Sequence, residues 1–164
     1  MRGGLFLNIS SELRRWYNSY FSSVPGEIGI MLRRFYYSHL FSETGKELRV
    51  KRFLTVLMPK SLKIGSGVSI GRNVYMVASG GIEIGDNVGI GPNVMIFSNE
   101  KKYEKRDIPI IDQGTKRARV IIEDNCWIDS GAIVKAGTHL GKGSMVKAGA
   151  IVEGKISSNS VIDP

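Results

Sequence analysis

At 164 residues with a formal net charge of +8, the chain has the length of one domain with room for a small appendage, and its surplus of cations suits an anionic partner. A single cysteine excludes an internal disulfide and fits a reducing, cytoplasmic setting, and two histidines in all exclude a three-histidine zinc centre, so no metal is expected. No apolar run approaches the ~20 residues of a membrane span, Leu5-Phe6-Leu7 is too short for a secretory signal, and neither a nucleic-acid-binding motif nor a glycine-rich phosphate loop appears.

Residues 1–60 form one unit, a helical cap. Asn8 or Ser10 is placed to cap a first helix carrying Leu13, Trp16, Tyr17, Tyr20 and Phe21. Pro25-Gly26 breaks it, and a second helix follows with Ile28, Met31, Leu32, Phe35, Tyr36 and Leu40. Arg14, Arg15, Arg33 and Arg34 lie among these apolar residues. Two compatible roles follow: closing the open end of what comes next, and peripheral contact of residues 1–45 with an anionic membrane surface. His39 belongs to helix surface or packing.

Residues 61–164 repeat at a spacing of six. Ile64, Ile70 and Met76 begin the series, and Ile84, Ile90 and Ile96 resume it. Ile122, Ile128, Val134, Leu140, Val146 and Val152 continue without a slip. Two places before each stands a second inward residue: Val68, Val74, Ile82, Val88, Val94, Val120, Cys126, Ala132, Thr138, Ser144 and Ala150. Helices repeat at 3.6 and flat strands at 2, so six denotes short strand, corner, short strand, the signature of a parallel β-helix. Twenty glycines suit its corners. Cys126 at an inward place reads as a small buried apolar residue.

Three sixes make one triangular coil, which stacks every third repeat on one face. The outward neighbours then form columns: Tyr75, Met95, Ile133 and Ile151 on one side, Trp127 with Met145 on a second, Ile121 with His139 on the third. An exposed apolar column marks a partner surface, most simply another copy of the chain. Between Ile96 and Ile122 a polar excursion, residues 97–119, leaves the coil, and a loop of that length is the expected seat of function.

The repeats, the coil Ile84-Gly85-Asp86-Asn87-Val88, the excursion with Pro109-Ile110 and Asp112-Gln113-Gly114, and Glu123-Asp124-Asn125-Cys126-Trp127-Ile128 resemble the hexapeptide-repeat acyltransferases. Among these the chain is most similar to the sugar O-acetyltransferases of the maltose, galactoside and nodulation-factor type, and to those of surface-polysaccharide clusters. The resemblance implies an all-β solenoid, a left-handed parallel β-helix with an N-terminal helical segment and one long loop. It also implies a homotrimer, acetyl-CoA bound between subunits, and transfer to a hydroxyl of a sugar or polysaccharide precursor. Asn99, Tyr103 and Trp127 would shape the acceptor pocket; Ser130, Gly131, Ala132, Lys147, Ala148 and Lys155 would meet the cofactor.

The family's catalytic histidine falls on Lys101, and no histidine occurs between positions 40 and 138. A general base must titrate near neutrality, which a solvated lysine does not. His139, Lys101 itself, or loss of the transfer step are the three outcomes open to the sequence. The non-catalytic alternative is a trimeric scaffold or binding protein of glycan assembly. Asp129 also stands where the family prefers glycine, and Glu153-Gly154 replace its Thr-Lys pair at the nucleotide end.

Overall fold

The computed structural model describes Tyr20 and residues 22–164. The first expected helix lies outside the described residues except for Tyr20. The second forms as α1, Gly26–Leu40.

Beyond α1 the chain winds in coils of short strands. The first coil comprises β1 (Glu43–Thr44), β2 (Arg49–Val50) and β3 (Thr55–Leu57). The second comprises β4 (Leu62–Ile64), β5 (Ser69–Ile70) and β6 (Tyr75–Val77), and the third β7 (Ile82–Ile84), β8 (Gly89–Ile90) and β9 (Met95–Phe97). A hairpin of β10 (Asn99–Lys101) and β11 (Thr115–Arg117) interrupts the winding. The fourth coil follows with β12 (Val120–Ile122), β13 (Trp127–Ile128) and β14 (Ile133–Val134), and the fifth with β15 (His139–Leu140), β16 (Met145–Val146) and β17 (Ile151–Val152). β18 (Lys155–Ile156) and β19 (Val161–Ile162) add two sides of a sixth.

Equivalent strands stack in parallel into three sheets, the first running β1-β4-β7-β12-β15-β18, the second β2-β5-β8-β13-β16-β19 and the third β3-β6-β9-β14-β17. The expected β-helix, with its N-terminal helix and single long excursion, is what forms. Both inward sets named from the sequence are buried. The polar members are satisfied: Thr138 Oγ1 donates to the Lys135 and Val152 carbonyls, and Ser144 Oγ to that of Ser157. Cys126 is buried, and burial pushes its thiol pKa up.

Three details differ from the sequence reading. The solenoid begins at Glu43, not at residue 61. Thr44, Val50 and Val56 hold inward places in the first coil, but the polar Thr44 hides the aliphatic series. Coil length also varies. Before the hairpin each coil advances by twenty residues, since turns closed by Ser61 N–H to Met58 O and by Gly81 N–H to Ala78 O each add two at the corner between the third and first sheets. After the hairpin the advance is eighteen and finally sixteen. Third, the repeat glycines serve close approach more than unusual φ. A Cβ on Gly71 would lie 2.5 Å from the Gly91 carbonyl carbon, and one on Gly91 2.8 Å from the Ser130 nitrogen. Asparagines take many of the left-handed corners, and Asn73 Nδ2 donates to Asn93 Oδ1 one coil on at 2.8 Å.

α1 does close the end of the solenoid, though not by its apolar stripe. Its inner face is Gly29, Arg33 and Tyr37. The first coil has no earlier coil to take its outward carbonyls, so the helix supplies donors. Arg33 Nε reaches Val50 O at 2.8 Å and Tyr37 OH reaches Leu54 O at 2.8 Å. Ile28, Met31 and Phe35 are left 68%, 67% and 65% exposed on the opposite face. Among the described residues no helix is long and apolar enough to cross a membrane.

Candidate functional site

The hairpin is planted at the corner between the third and first sheets. Ala118 N–H closes its neck on Ser98 O at 3.0 Å. The buried Ser98 hydroxyl fixes that neck, donating to Val77 O and accepting from Gly80 N–H. β10 and β11 pair antiparallel, Lys101 opposite Thr115. Toward the tip, Gln113 gathers the chain by accepting from Lys105 N–H and donating to the Lys105 and Ile108 carbonyls. Lys101 Nζ donates to Ile111 O at 3.0 Å. Asn99 is partly buried at the base, whereas Tyr103 is exposed. Glu100 reaches Lys135 at 3.3 Å, and Lys135 also pairs with Glu153. Glu153 first, then Glu100, holds the Lys135 ammonium above its ordinary pKa despite some opposing desolvation.

Trp127 faces outward from the second sheet with Met145 beside it in register. Its indole lies on Gly89, where a Cβ would come within 2.3 Å of the ring. The side of the prism it occupies is opposite the corner that carries the hairpin. Within one chain, therefore, Trp127 is not gathered with Asn99, Lys101 and Tyr103.

Ser130, Gly131, Ala132, Lys147 and Ala148 meet at the corner between the second and third sheets. This corner suits a slender ligand: a Cβ on Gly131 or Gly149 would meet nothing within 4 Å, and Ala148 is exposed, its backbone unbonded among the described residues. Three features restrict it. Asp129 Oδ1 takes the Ser130 amide at 2.6 Å. Ala132 points into the core. Lys147 is paired with Asp163 at 2.6 Å.

His139 and Lys155 stand side by side on the first sheet. His139 Nε2 lies 2.6 Å from Glu123 Oε1, and Glu123 Oε2 accepts from Lys142 N–H. The His139 bond first, and the Lys142 amide second, holds the Glu123 carboxyl below its usual range. The histidine is thus a hydrogen-bond partner of Glu123 on a side away from the Trp127 face. Sequence reasoning missed both the Glu123 partner and the Glu100–Lys135 tether. The first was legible, since coils of eighteen put Ile121 beside His139 and Glu123 two places further along the same outward face.

Two family models match the repeats. Bacterial transferase hexapeptide (six repeats) covers residues 119–154, and the hexapeptide repeat of succinyl-transferase covers residues 61–98. A galactoside O-acetyltransferase of Lactococcus lactis is 30% identical over 128 residues, 74% of this chain; the chain spans 58% of that relative's length. Among solved structures, a hexapeptide-repeat acetyltransferase from Vibrio cholerae complexed with acetyl-coenzyme A superposes with a TM-score of 0.81 at 22% identity, covering 96% of this chain and 85% of that one. A galactoside acetyltransferase in complex with coenzyme A gives 0.81 at 23%, covering 98% and 79%. A maltose O-acetyltransferase from Clostridium difficile 630 gives 0.81 at 23%, covering 96% and 83%. With matched repeats on both sides of the hairpin and the same coiled fold, the chain is a hexapeptide-repeat protein similar to these acetyltransferases.

Proposed function

We propose that the chain transfers an acetyl group from acetyl-CoA to a hydroxyl of a sugar or surface-polysaccharide precursor. It does so as a homotrimer in the cytoplasm, in peripheral contact with the membrane through residues 1–45. The observation that carries this reading is the coil after the hairpin, where an exposed indole on Gly89 precedes an open corner of small residues. Similarity to a galactoside O-acetyltransferase supports the substrate class. The separation of Lys101 and Trp127 within one chain supports an oligomer, in which a second copy brings its hairpin to the first copy's indole.

Acetyl-CoA, when bound, supplies the activated acyl carbon. The chain's own residues position and exclude. Trp127 offers a flat apolar face to a sugar ring, and the Ala148 amide is free to donate along the open corner. Lys101 occupies the general base's place on the hairpin. As an ammonium it has donors and no acceptor, so it orients an acceptor hydroxyl without taking its proton.

A second reading, a non-catalytic trimeric scaffold or binding protein, is favoured by one set of contacts. Lys101 is engaged by Ile111 O, the Ser130 amide by Asp129, and Lys147 by Asp163. Calorimetry with CoA and acetyl-CoA, followed by a product assay on wild type, Lys101→His and Lys101→Ala, separates the readings. Binding with turnover supports transfer. Binding without turnover in any of the three supports the scaffold, and absence of binding removes the acetyl-CoA assignment.

A further inference from the structure

The end of the solenoid closed by α1 carries a concentration of cations, three of which, Lys51, Arg52 and Arg72, pair with no carboxylate among the described residues. Arg52 and Arg72 occupy the same corner on consecutive coils, linked by Asn73 N–H to Arg52 O at 3.0 Å. Coils in such a stack are about 4.8 Å apart, so the two residues are neighbours on one corner. Lys51 adjoins them, and the buried Arg33 lies behind. Together with Gly26 and Glu27 of the first turn of α1, these side chains line a cavity of about 330 Å³. Among the described residues, none of Lys51, Arg52 and Arg72 belongs to an ion pair. The carboxylate in the cavity wall, Glu27, is committed to Arg49 at 2.9 Å. Burial lowers the Arg33 pKa and the charge of Arg52 lowers it further, while Tyr37 opposes them. The N-cap of α1 is Pro25, which offers no side-chain acceptor, so the positive end of the helix dipole adds to the same field.

Apolar side chains lie on the same end of the molecule. Ile28, Met31 and Phe35 form one exposed stripe along α1, and Ile28 and Met31 line the adjoining groove with Arg34, Glu47 and Arg49. Phe53 adjoins Arg52, whose guanidinium sits over its ring at 5.7 Å. It holds the left-handed corner that Asn73 and Asn93 hold in the next two coils, at φ 63° and half exposed. That conformation is costly for an aromatic residue and ordinary for asparagine. An outward aromatic beside unpaired arginines is a poor choice for a surface in contact with water alone.

We propose that this end of the molecule docks on an anionic phospholipid surface, with headgroup phosphates on Lys51, Arg52 and Arg72 and with Ile28, Met31, Phe35 and Phe53 entering the acyl boundary. Charge complementarity selects the leaflet, and the apolar stripe distinguishes a bilayer from a soluble phosphate ester. The proposal rests on the membrane contact given above, whose residues 1–45 it extends to the first two coils, and is independent of acyl transfer.

The test is sedimentation of the full-length chain with vesicles of phosphatidylcholine, alone or mixed with phosphatidylglycerol. Binding is expected to the mixed vesicles only and to weaken with added salt. The double variant Arg52→Glu/Arg72→Glu should lose at least about ten-fold in affinity, and Met31→Ser/Phe35→Ser a comparable factor. None of the four residues is in the core, so thermal melting should stay at the wild-type value. Wild-type sedimentation of the charge-reversed variant would overturn the corner while leaving a membrane contact in place. Equal binding to both vesicles, or to neither, would overturn the corner and the contact together. Tight calorimetric binding of pyrophosphate without vesicle binding would reassign the corner to a soluble phosphate.

Discussion

Lys101 stands where the proposed transfer needs a general base, and its side chain carries donors and no acceptor. Lys101→His restores a group that both accepts and donates near neutrality, so turnover at neutral pH should rise by about 10²-fold. Lys101→Ala should leave turnover at or below wild type; a rise in that variant would show that the lysine obstructs the site. Gly91 is a residue of a different kind. An added Cβ meets backbone, not a movable side chain, 2.8 Å away at Ser130 N, so the third and fourth coils must part locally. Gly91→Ala is expected to cost about 1–3 kcal/mol in urea unfolding, with the loss also felt at the Ser130 corner.

At the scale of an element, α1 shows what sequence can and cannot tell. Its existence was legible from Pro25-Gly26 and from apolar residues at helical spacing. Its inward face was not, because the usual assumption places apolar residues inside. The surface it covers includes the Val50 and Leu54 carbonyls, which the polar side chains of Arg33 and Tyr37 satisfy. The hairpin behaves alike: twenty surplus residues announced it, whereas its internal order depends on Gln113 side-chain bonds that have no periodic signal. Burial pushes the Tyr37 phenol well above its ordinary value. The folded state therefore holds this proton more tightly than the unfolded state. The contribution is complete below the unfolded value of about pH 10 and is lost as pH rises toward the folded one. Tyr37→Phe should flatten the alkaline limb of a stability–pH curve and lower stability at neutral pH by about 1–3 kcal/mol, since Leu54 O loses its donor.

For the whole molecule, the proposed trimer rests on the third sheet's outer column. Tyr75, Met95, Ile133 and Ile151 stack in register as the six-residue spacing required. Replacing Ile133 and Ile151 together by Glu should convert a trimer to monomers in analytical ultracentrifugation, with melting little changed. Acetyl transfer should fall with the trimer if hairpin and indole come from different copies. The triangular stack was readable because its core is a one-dimensional pattern repeated in sequence. The placement of Lys101 opposite Trp127 was not, because it depends on which corner the excursion leaves from. Coil boundaries were blurred by steps of twenty and sixteen where eighteen was expected.

The neck formed by Ser98 and Ala118 makes the excursion modular. The rungs below and above it, Ile84 and Ile122, lie directly over one another across the intervening chain. What is grafted between those two neck residues can change in length and chemistry while the scaffold keeps its pitch. Diversification of acceptor choice can then proceed by exchange of one cassette.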